Sequence, residues 1–297
     1  VASSKYDIVV DLSLEDNSHT MMVRLVGANK RVLDVGCANG YLARVLVENG
    51  CTVSGVEVDA AAAEQARSLL QDLVVGDLEQ LDLAAELGTG RFDVVVLGDV
   101  LEHLRDPLPV LRSVRPLLAQ GGYVVMSIPN VAHGAVRVSL LKGRFDYRPL
   151  GLLDTTHLRF FTRESLTALL HDAGLAPTDF LRTTAGLFET EQELRPDDVP
   201  ADLVEQVMSD PDASTYQFVV RAVPDDADHL VAAMRGSFEQ RLEQLGEQVA
   251  QLQAQLAQAQ EDTEARRREL AAVQATKVMR STRRVRALYG RLRAPRT

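Results

Sequence analysis

The stretch Asp34-Val35-Gly36-Cys37-Ala38-Asn39-Gly40 constrains this chain more than any other, because an apolar run leads into it and an amphipathic run leaves it. Arg31-Val32-Leu33 has the aliphatic, β-branched character of a buried parallel strand. Tyr41-Leu42-Ala43-Arg44-Val45-Leu46-Val47 repeats its apolar positions at helical spacing. A strand, a glycine turn and a helix are therefore expected in that order. Gly36 and Gly40 permit a tight turn and close backbone approach, so that a ligand can lie against the main chain where the helix begins. A dinucleotide fingerprint would place glycines at the first, third and sixth positions of such a turn. Counting from Gly36, the third residue is Ala38 and the sixth is Tyr41, so that fingerprint is absent.

What remains is a set of acids closing successive apolar runs. Asp34 stands just before the first glycine. Thr52-Val53-Ser54-Gly55-Val56-Glu57 ends in Glu57, about twenty residues further on, where a carboxylate accepts both ribose hydroxyls of an adenosine-type ligand. Val74-Val75-Gly76-Asp77-Leu78 closes a third strand, and Asp77 on the same rim is placed for an adenine amino group. Three acids at these intervals point to an adenosyl ligand, whereas acids that served only as helix caps would point to an α/β domain and no more.

The order D-V-G-C-A-N-G, G-V-E-V-D, G-D-L, then Phe92-Asp93-Val94-Val95-Val96 and Asp99-Val100-Leu101-Glu102-His103, resembles the class I S-adenosylmethionine-dependent methyltransferases over residues 18–222. The resemblance implies S-adenosyl-L-methionine as cofactor. It also implies an α/β fold with a seven-stranded Rossmann-like sheet, mostly parallel, whose last strand is antiparallel. Donor contacts are expected from Asp34, Gly36, Cys37, Ala38, Gly40, Glu57, Asp77, Leu78 and Asp99. Ala38 stands where glycine is commoner in that family, a departure that adds only a methyl group.

Within the superfamily, Ser127-Ile128-Pro129-Asn130-Val131-Ala132-His133 and the G-L-L-D-T-T-H-L-R-F-F-T segment from Gly151 to Thr162 resemble methyltransferases encoded beside glycosyltransferases of surface-polysaccharide and glycolipid assembly. The D-V-L-E-H segment is similar to ubiquinone-pathway O-methyltransferases, and the segment order is similar to MetW-type proteins of methionine metabolism. The resemblance therefore implies methyl transfer, with O-methylation of a sugar or glycan intermediate placed first. The alternatives are a quinone or other small-molecule acceptor, a MetW-type role, or a catalytically weak methyltransferase-like scaffold acting through a C-terminal coiled coil.

An activated methyl donor leaves the protein mainly the task of holding an acceptor in line, with a positioned His or carboxylate taking the acceptor's proton. His103, His157 and Asp154 are the catalytic candidates. His103 follows the fourth strand, and its other reading is a helix cap at the Asp106-Pro107 turn. Asp154, His157 and Arg159 share an irregular polar segment, where acceptor loops of such sheets concentrate; that segment is equally readable as a loop packing Phe160 and Phe161. His19, Asn130, His133, Arg137 and Arg159 are expected on the acceptor, with His133 and Arg137 either on a phosphate or on a solvated face. No set of carboxylates stands at a metal-binding spacing, so metal independence is expected.

With 297 residues, the chain exceeds a typical single domain, and its composition shifts after Pro224. A net charge of −10 makes nucleic acid an unsuitable general partner. Cys37 and Cys51 do not make a disulfide framework, and no apolar run reaches the ~18 residues of a membrane span. The cytosol is the expected compartment. The expected organisation is an N-terminal helical segment over 1–30, in which a helix from Asn17 to Val26 carries Ser18 and His19 towards the donor site, followed by the methyltransferase domain over 31–224. Strands are expected at 31–35, 52–57, 73–76, 92–97, 122–128, 179–183 and 216–222.

Over 228–274, Phe238, Leu242, Leu245, Val249, Leu252, Leu256 and Ala259 alternate in steps of four and three, the seam of a coiled coil that would make the chain a homo-oligomer. Thr263 and Arg266 interrupt the seam before Leu270 and Val273 resume it; a solitary polar helix is the competing reading. A basic amphipathic tail fills 275–297: from Lys277 onwards there are eight Lys or Arg and no acid, with Val278, Val285, Leu288 and Leu292 at helical spacing. It suits peripheral contact with the inner membrane surface, and equally a solvated tail; a lone Tyr289 offers little for stacking on RNA.

Overall fold

A computed structural model describes residues 10–292. The first residues of the N-terminal segment and the end of the basic tail lie outside the described residues. Strands and helices alternate from α1 (Ser18–Val26), β1 (Arg31–Val35), α2 (Tyr41–Glu48), β2 (Thr52–Glu57), α3 (Ala60–Ala66) and β3 (Leu73–Val75) to α4 (Leu83–Leu87) and β4 (Phe92–Gly98). The chain continues through α5 (Pro107–Val114), β5 (Leu118–Pro129), α6 (Gly134–Leu141), α7 (Arg163–Asp172), β6 (Leu175–Thr184), α8 (Ala201–Met208) and β7 (Thr215–Pro224). Helix starts follow capping chemistry. Asn17 accepts from the N–H groups of His19 and Thr20, and Asp59 from those of Ala61 and Ala62.

The strands form one sheet in the order β3-β2-β1-β4-β5-β7-β6. β7 runs antiparallel to both β5 and β6, and the other neighbours are parallel. Strand order reverses between β1 and β4, which opens a crevice at their carboxyl ends. Successive side chains divide between the two faces. Val32, Val94, Val96, Tyr123, Val125 and Val219 meet Met22 and Val26 of α1 and Leu42 and Leu46 of α2. Leu33, Val95, Leu97, Val124, Met126 and Phe218 meet Leu83 of α4, Leu111 of α5 and Leu166 of α7. Burial on both faces explains why these strands read as unbroken apolar runs.

Two strands begin four residues earlier than the sequence suggests. β5 starts at Leu118, upstream of Gly121-Gly122, because the pairing slips between Phe92 and Val94 and Gly121 takes φ +75° in the bulge. β6 starts at Leu175 despite Pro177, which an edge strand tolerates; its register shifts beside that proline. α8 had no periodic signal strong enough to be expected. It packs with α6 in a satellite core that includes Ala135, Val138, Leu194 and Val207.

Cys37 and Cys51 are both free and buried. The chain divides into two compact units, one up to Met234 and one from Arg235. A single helix, α9 (Ala227–Leu292), runs for 66 residues. Among the described residues, no helix is long and apolar enough to cross a membrane.

Candidate active site

The donor side is built on the turn between β1 and α2. Gly36 and Gly40 take φ +76° and +81°. A Cβ on Gly36 would lie 2.8 Å from Val100 Cγ2, and one on Gly40 3.0 Å from Ala66 Cβ, so packing as well as backbone conformation demands glycine at both. The N–H groups of Gly36 and Cys37 both donate to the Val56 carbonyl, and Glu57 at the end of β2 accepts from the Ala38 N–H at 2.8 Å and the Asp59 N–H at 2.8 Å. Glu57 is thereby fixed against the turn, each oxygen keeping a second lone pair. Asp34 is buried, and its Oδ2 has no hydrogen-bond partner. Burial, with the nearby charge of Glu57, pushes its carboxyl up to about 7.

Ala38 carries a burden that its small side chain conceals. Its φ is +48°, in the left-handed region, so the departure from glycine strains the backbone instead of merely adding a methyl group. Cys37 fills the space beside Gly55, whose Cβ would lie 2.7 Å from Sγ, and burial raises its thiol pKa. Asp77 is exposed and closes the turn after β3: it accepts from the Glu79 N–H and the Gln80 side-chain amide. Leu78 packs against the main core.

Asp99 follows β4 at φ +53° and accepts from Ser127 Oγ at 2.7 Å and Gln217 Nε2 at 3.0 Å, which joins the ends of β4, β5 and β7. His19 stands edge-on to Tyr41, ring centroids 5.3 Å apart, next to the glycine turn. Burial lowers its pKa and the charge of Asp99 opposes the shift. Gln217 also lines a cavity of about 310 Å³ with Asp16, Ser18, Glu189, Glu191 and Tyr216.

Beyond Asp99, three side chains converge. Glu102 is 1% exposed, neither of its carboxylate oxygens has a hydrogen-bond partner, and burial followed by the charges of Asp99 and Asp154 pushes it well above the usual carboxylate range. The rings of His103 and His157 are 5.0 Å apart. His103 Nδ1 lies 3.2 Å from the Thr156 carbonyl, and His157 Nδ1 lies 3.4 Å from the Leu152 carbonyl. A carbonyl only accepts, so Nδ1 carries the proton in each neutral ring and Nε2 keeps a lone pair. His157 is buried, which lowers its pKa, helped by the neighbouring His103; His103 is half-buried. The nearest ligand atoms of Glu102, His103 and His157 all lie within 4.8 Å of one another, a donor set of one carboxylate and two imidazoles that suits a divalent cation. His157 is remote from His103 in sequence, so spacing gave no hint of this group.

Several expected acceptor residues have partners within the fold. Asn130 is fully buried; its amide donates to the Asp212 and Thr215 carbonyls and accepts from the Ala132 N–H. His133, also fully buried, caps α6 by accepting from Ala135 N–H and donates to the Ala185 carbonyl. Arg137 pairs with Asp210 at 2.8 Å, and Arg159 donates to the Arg105 carbonyl. Asp154 accepts from the N–H and hydroxyl of Thr156, shaping the turn that delivers His157. A larger cavity, of about 710 Å³, is lined by Asn130, Arg137, Arg163, Asp210 and Asp212, and both arginines there are paired with those aspartates.

A family model described as a methyltransferase domain matches residues 14–179. The chain belongs to the class I methyltransferases. Two curated relatives of this methyltransferase are named ubiquinone biosynthesis O-methyltransferase. That of Psychrobacter arcticus is 29% identical over 171 residues, covering 56% of this chain and 66% of its own length. That of Pseudomonas paraeruginosa is 32% identical over 160 residues, 53% of this chain and 69% of its own. A solved S-adenosylmethionine-dependent methyltransferase from Mesorhizobium loti is 18% identical, covers 71% of this chain and 99% of its own, and has a TM-score of 0.47.

The donor site of this methyltransferase fits S-adenosylmethionine on its own chemistry. Glu57 offers ribose acceptors, the glycine turn offers close backbone approach, and the unpartnered Asp34 oxygen suits a cationic ligand. Sequence reasoning left out Glu102, Ser127, Tyr41 and Gln217. The last three act through contacts between segments far apart in the chain, and only the fold brings them together.

Proposed function

We propose that this methyltransferase transfers a methyl group to the hydroxyl oxygen of a phenolic or quinol-type acceptor that carries apolar substituents. S-adenosylmethionine, when bound, supplies a methyl group already activated on a sulfonium. The residues of this chain hold the donor through Asp34, the glycine turn and Glu57, and accept the acceptor's proton on Nε2 of His103. The observation that carries the reading is the His103–His157 pair set beside aromatic rings. Phe160 lies 6.3 Å from His157, and Phe145 lies 5.7 Å from Phe160.

A neutral imidazole is matched to a phenol, whose pKa is about 10 as in tyrosine, far better than to an aliphatic sugar hydroxyl. Exposed Leu140, Leu141, Tyr147 and Leu150 extend the apolar surface along the same segment. The names of the two curated relatives support the same acceptor class. The sugar or glycan acceptor expected first from the sequence rests on 127–133 and 151–162, most of whose polar side chains are held in internal bonds. Incubation with donor and a panel of quinols, catechols, nucleotide sugars and lipid-linked glycans tests this by mass spectrometry. A one-methyl gain on a phenolic compound is expected; a gain confined to sugars would overturn the reading.

A second reading gives Glu102, His103 and His157 a divalent cation that lowers the acceptor's pKa, and the two unpartnered oxygens of Glu102 favour it. Turnover that survives EDTA supports the imidazole base; loss restored by magnesium or zinc supports the cation. The tail, helical as far as Leu292, is proposed to hold the enzyme against an anionic bilayer, where apolar acceptors reside. Equal liposome partitioning of the full chain and one ending at Gln274 would remove that role.

A further inference from the structure

The long helix has a feature that the catalytic reading does not use. Between Gln240 and Ala275, every large aliphatic side chain falls on one frame of alternating three- and four-residue steps: Leu242, Leu245, Val249, Leu252, Leu256, then Leu270 and Val273 after two heptads in register. All seven are exposed, from 47% for Val273 to 65% for Leu242. Exposure alone says little on a long helix. Restriction of the apolar side chains to a single seam says more, because a solvated helix has no reason to keep them in line.

Taking Leu242 as position a, the seam reads Leu, Leu, Val, Leu, Leu, Ala259, Thr263, Arg266, Leu and Val at successive a and d positions. We propose that residues 242–273 pair with a second copy of this chain as a parallel, in-register, two-stranded coiled coil. Charge complementarity selects the second copy and its direction. In a parallel pair, position g faces position e five residues on in the partner. Asp262 is at g and Arg267 at e of the following heptad, so each Asp262 meets the partner's Arg267, once on each side of the seam. The flanks of the preceding heptads are glutamine facing glutamine, at Gln248 with the partner's Gln253 and Gln255 with the partner's Gln260, so no like charges oppose one another there.

Arg266 faces the partner's Arg266 across the seam, and this single like-charged layer sets the number of strands. At a d position, a guanidinium can reach solvent past the open flank of a two-stranded coil, whereas a wider bundle would enclose it. The end of the seam is equally defined. Continuing the frame beyond Val273 places Lys277, Arg280 and Arg284 at three successive a and d positions, where a parallel pair would stack like charges layer upon layer with no apolar layer between them, unlike the isolated Arg266. Val278 and Val285 fall one position later, on a different face, so the basic tail stands outside the coil. A parallel coil brings both tails to the same end.

Sedimentation equilibrium of the full chain at micromolar concentration tests the proposal. The expected mass is twice the 32.5 kDa of one chain. Leu252→Glu with Leu256→Glu should return the mass to one chain while donor affinity and turnover per chain stay within twofold. A chain ending at Gln274 should remain dimeric. Val273→Cys, at a d position, should form an interchain disulfide on mild oxidation, and Glu261→Cys, at an outward f position, should not. A monomeric full chain, a trimer, or a dimer that survives the double substitution would overturn the proposal. A dimer in which Val273→Cys fails to cross-link would overturn the parallel arrangement.

Discussion

The donor side and the acceptor side of the crevice are lined by the same kinds of residue, but they use their polar groups differently. On the donor side, Asp34 is buried with an oxygen unpartnered, and Glu57 holds two backbone N–H groups with lone pairs to spare. On the acceptor side, Asn130, His133, Arg137 and Arg159 are each engaged by backbone or carboxylate partners. Glu102, His103 and His157 there combine proximity with unused capacity. In this crevice the candidate binding groups are therefore those with hydrogen-bonding capacity to spare, and a polar residue type alone does not mark one.

The largest expected effect separates His103 from its neighbours. His103→Ala should lower kcat by about 10²–10⁴, the usual contribution of a positioned base, and leave the donor's Kd within twofold. A change confined to KM would move His103 out of the chemistry and into acceptor binding. Asn130→Ala is the counterpart on the scaffold. It removes buried hydrogen bonds at the end of β5 and should destabilise by about 2–4 kcal/mol in urea unfolding, while the folded fraction keeps its kcat. Normal stability with lost turnover would return Asn130 to the acceptor site.

Asp34 gives the donor side a pH signature. Its folded pKa, about 7, lies above the 3.8 of an unperturbed Asp, so between those values the folded state holds a proton that the unfolded chain releases. The resulting stabilisation is complete below about pH 4 and is lost as pH rises through about 7, with a slope of up to about 1.4 kcal/mol per pH unit. Asp34→Asn should flatten that slope. An unchanged slope would mean that another group titrates. The smallest effect concerns Ala38. Ala38→Gly relieves a left-handed φ and should stabilise the fold by about 1 kcal/mol, read as a shift in the urea midpoint.

The same contrast explains what the sequence could disclose. The β1–turn–α2 unit is local: Asp34, Gly36, Gly40 and Glu57 lie on neighbouring parallel strands and one turn, so chain spacing carries their geometry. β1 and β2 were readable to the residue because burial on both faces leaves no polar interruption. β5 and β6 lost their first residues to Gly121-Gly122 and Pro177, which read as breaks but sit in a bulge and on a sheet edge. The acceptor side is assembled from segments that follow β4, β5 and β6 and precede β7. Whether His133 met a ligand or the Ala185 carbonyl therefore depended on a loop more than fifty residues away, as the bond's separation of 52 shows. Asp77 was ambiguous for a different reason: an acid after a strand closes the next turn as readily as it binds a base, and here it accepts from the Glu79 N–H.

The central claim is that the turn and Glu57 hold S-adenosylmethionine, and calorimetric titration of the donor into wild type and Glu57→Ala tests it most directly. With folding of the variant verified by circular dichroism, loss of hydrogen bonds to a charged acceptor, about 1.5–3 kcal/mol, predicts affinity weaker by roughly ten- to a hundredfold. A folded Glu57→Ala protein that binds the donor as tightly as wild type would contradict the account.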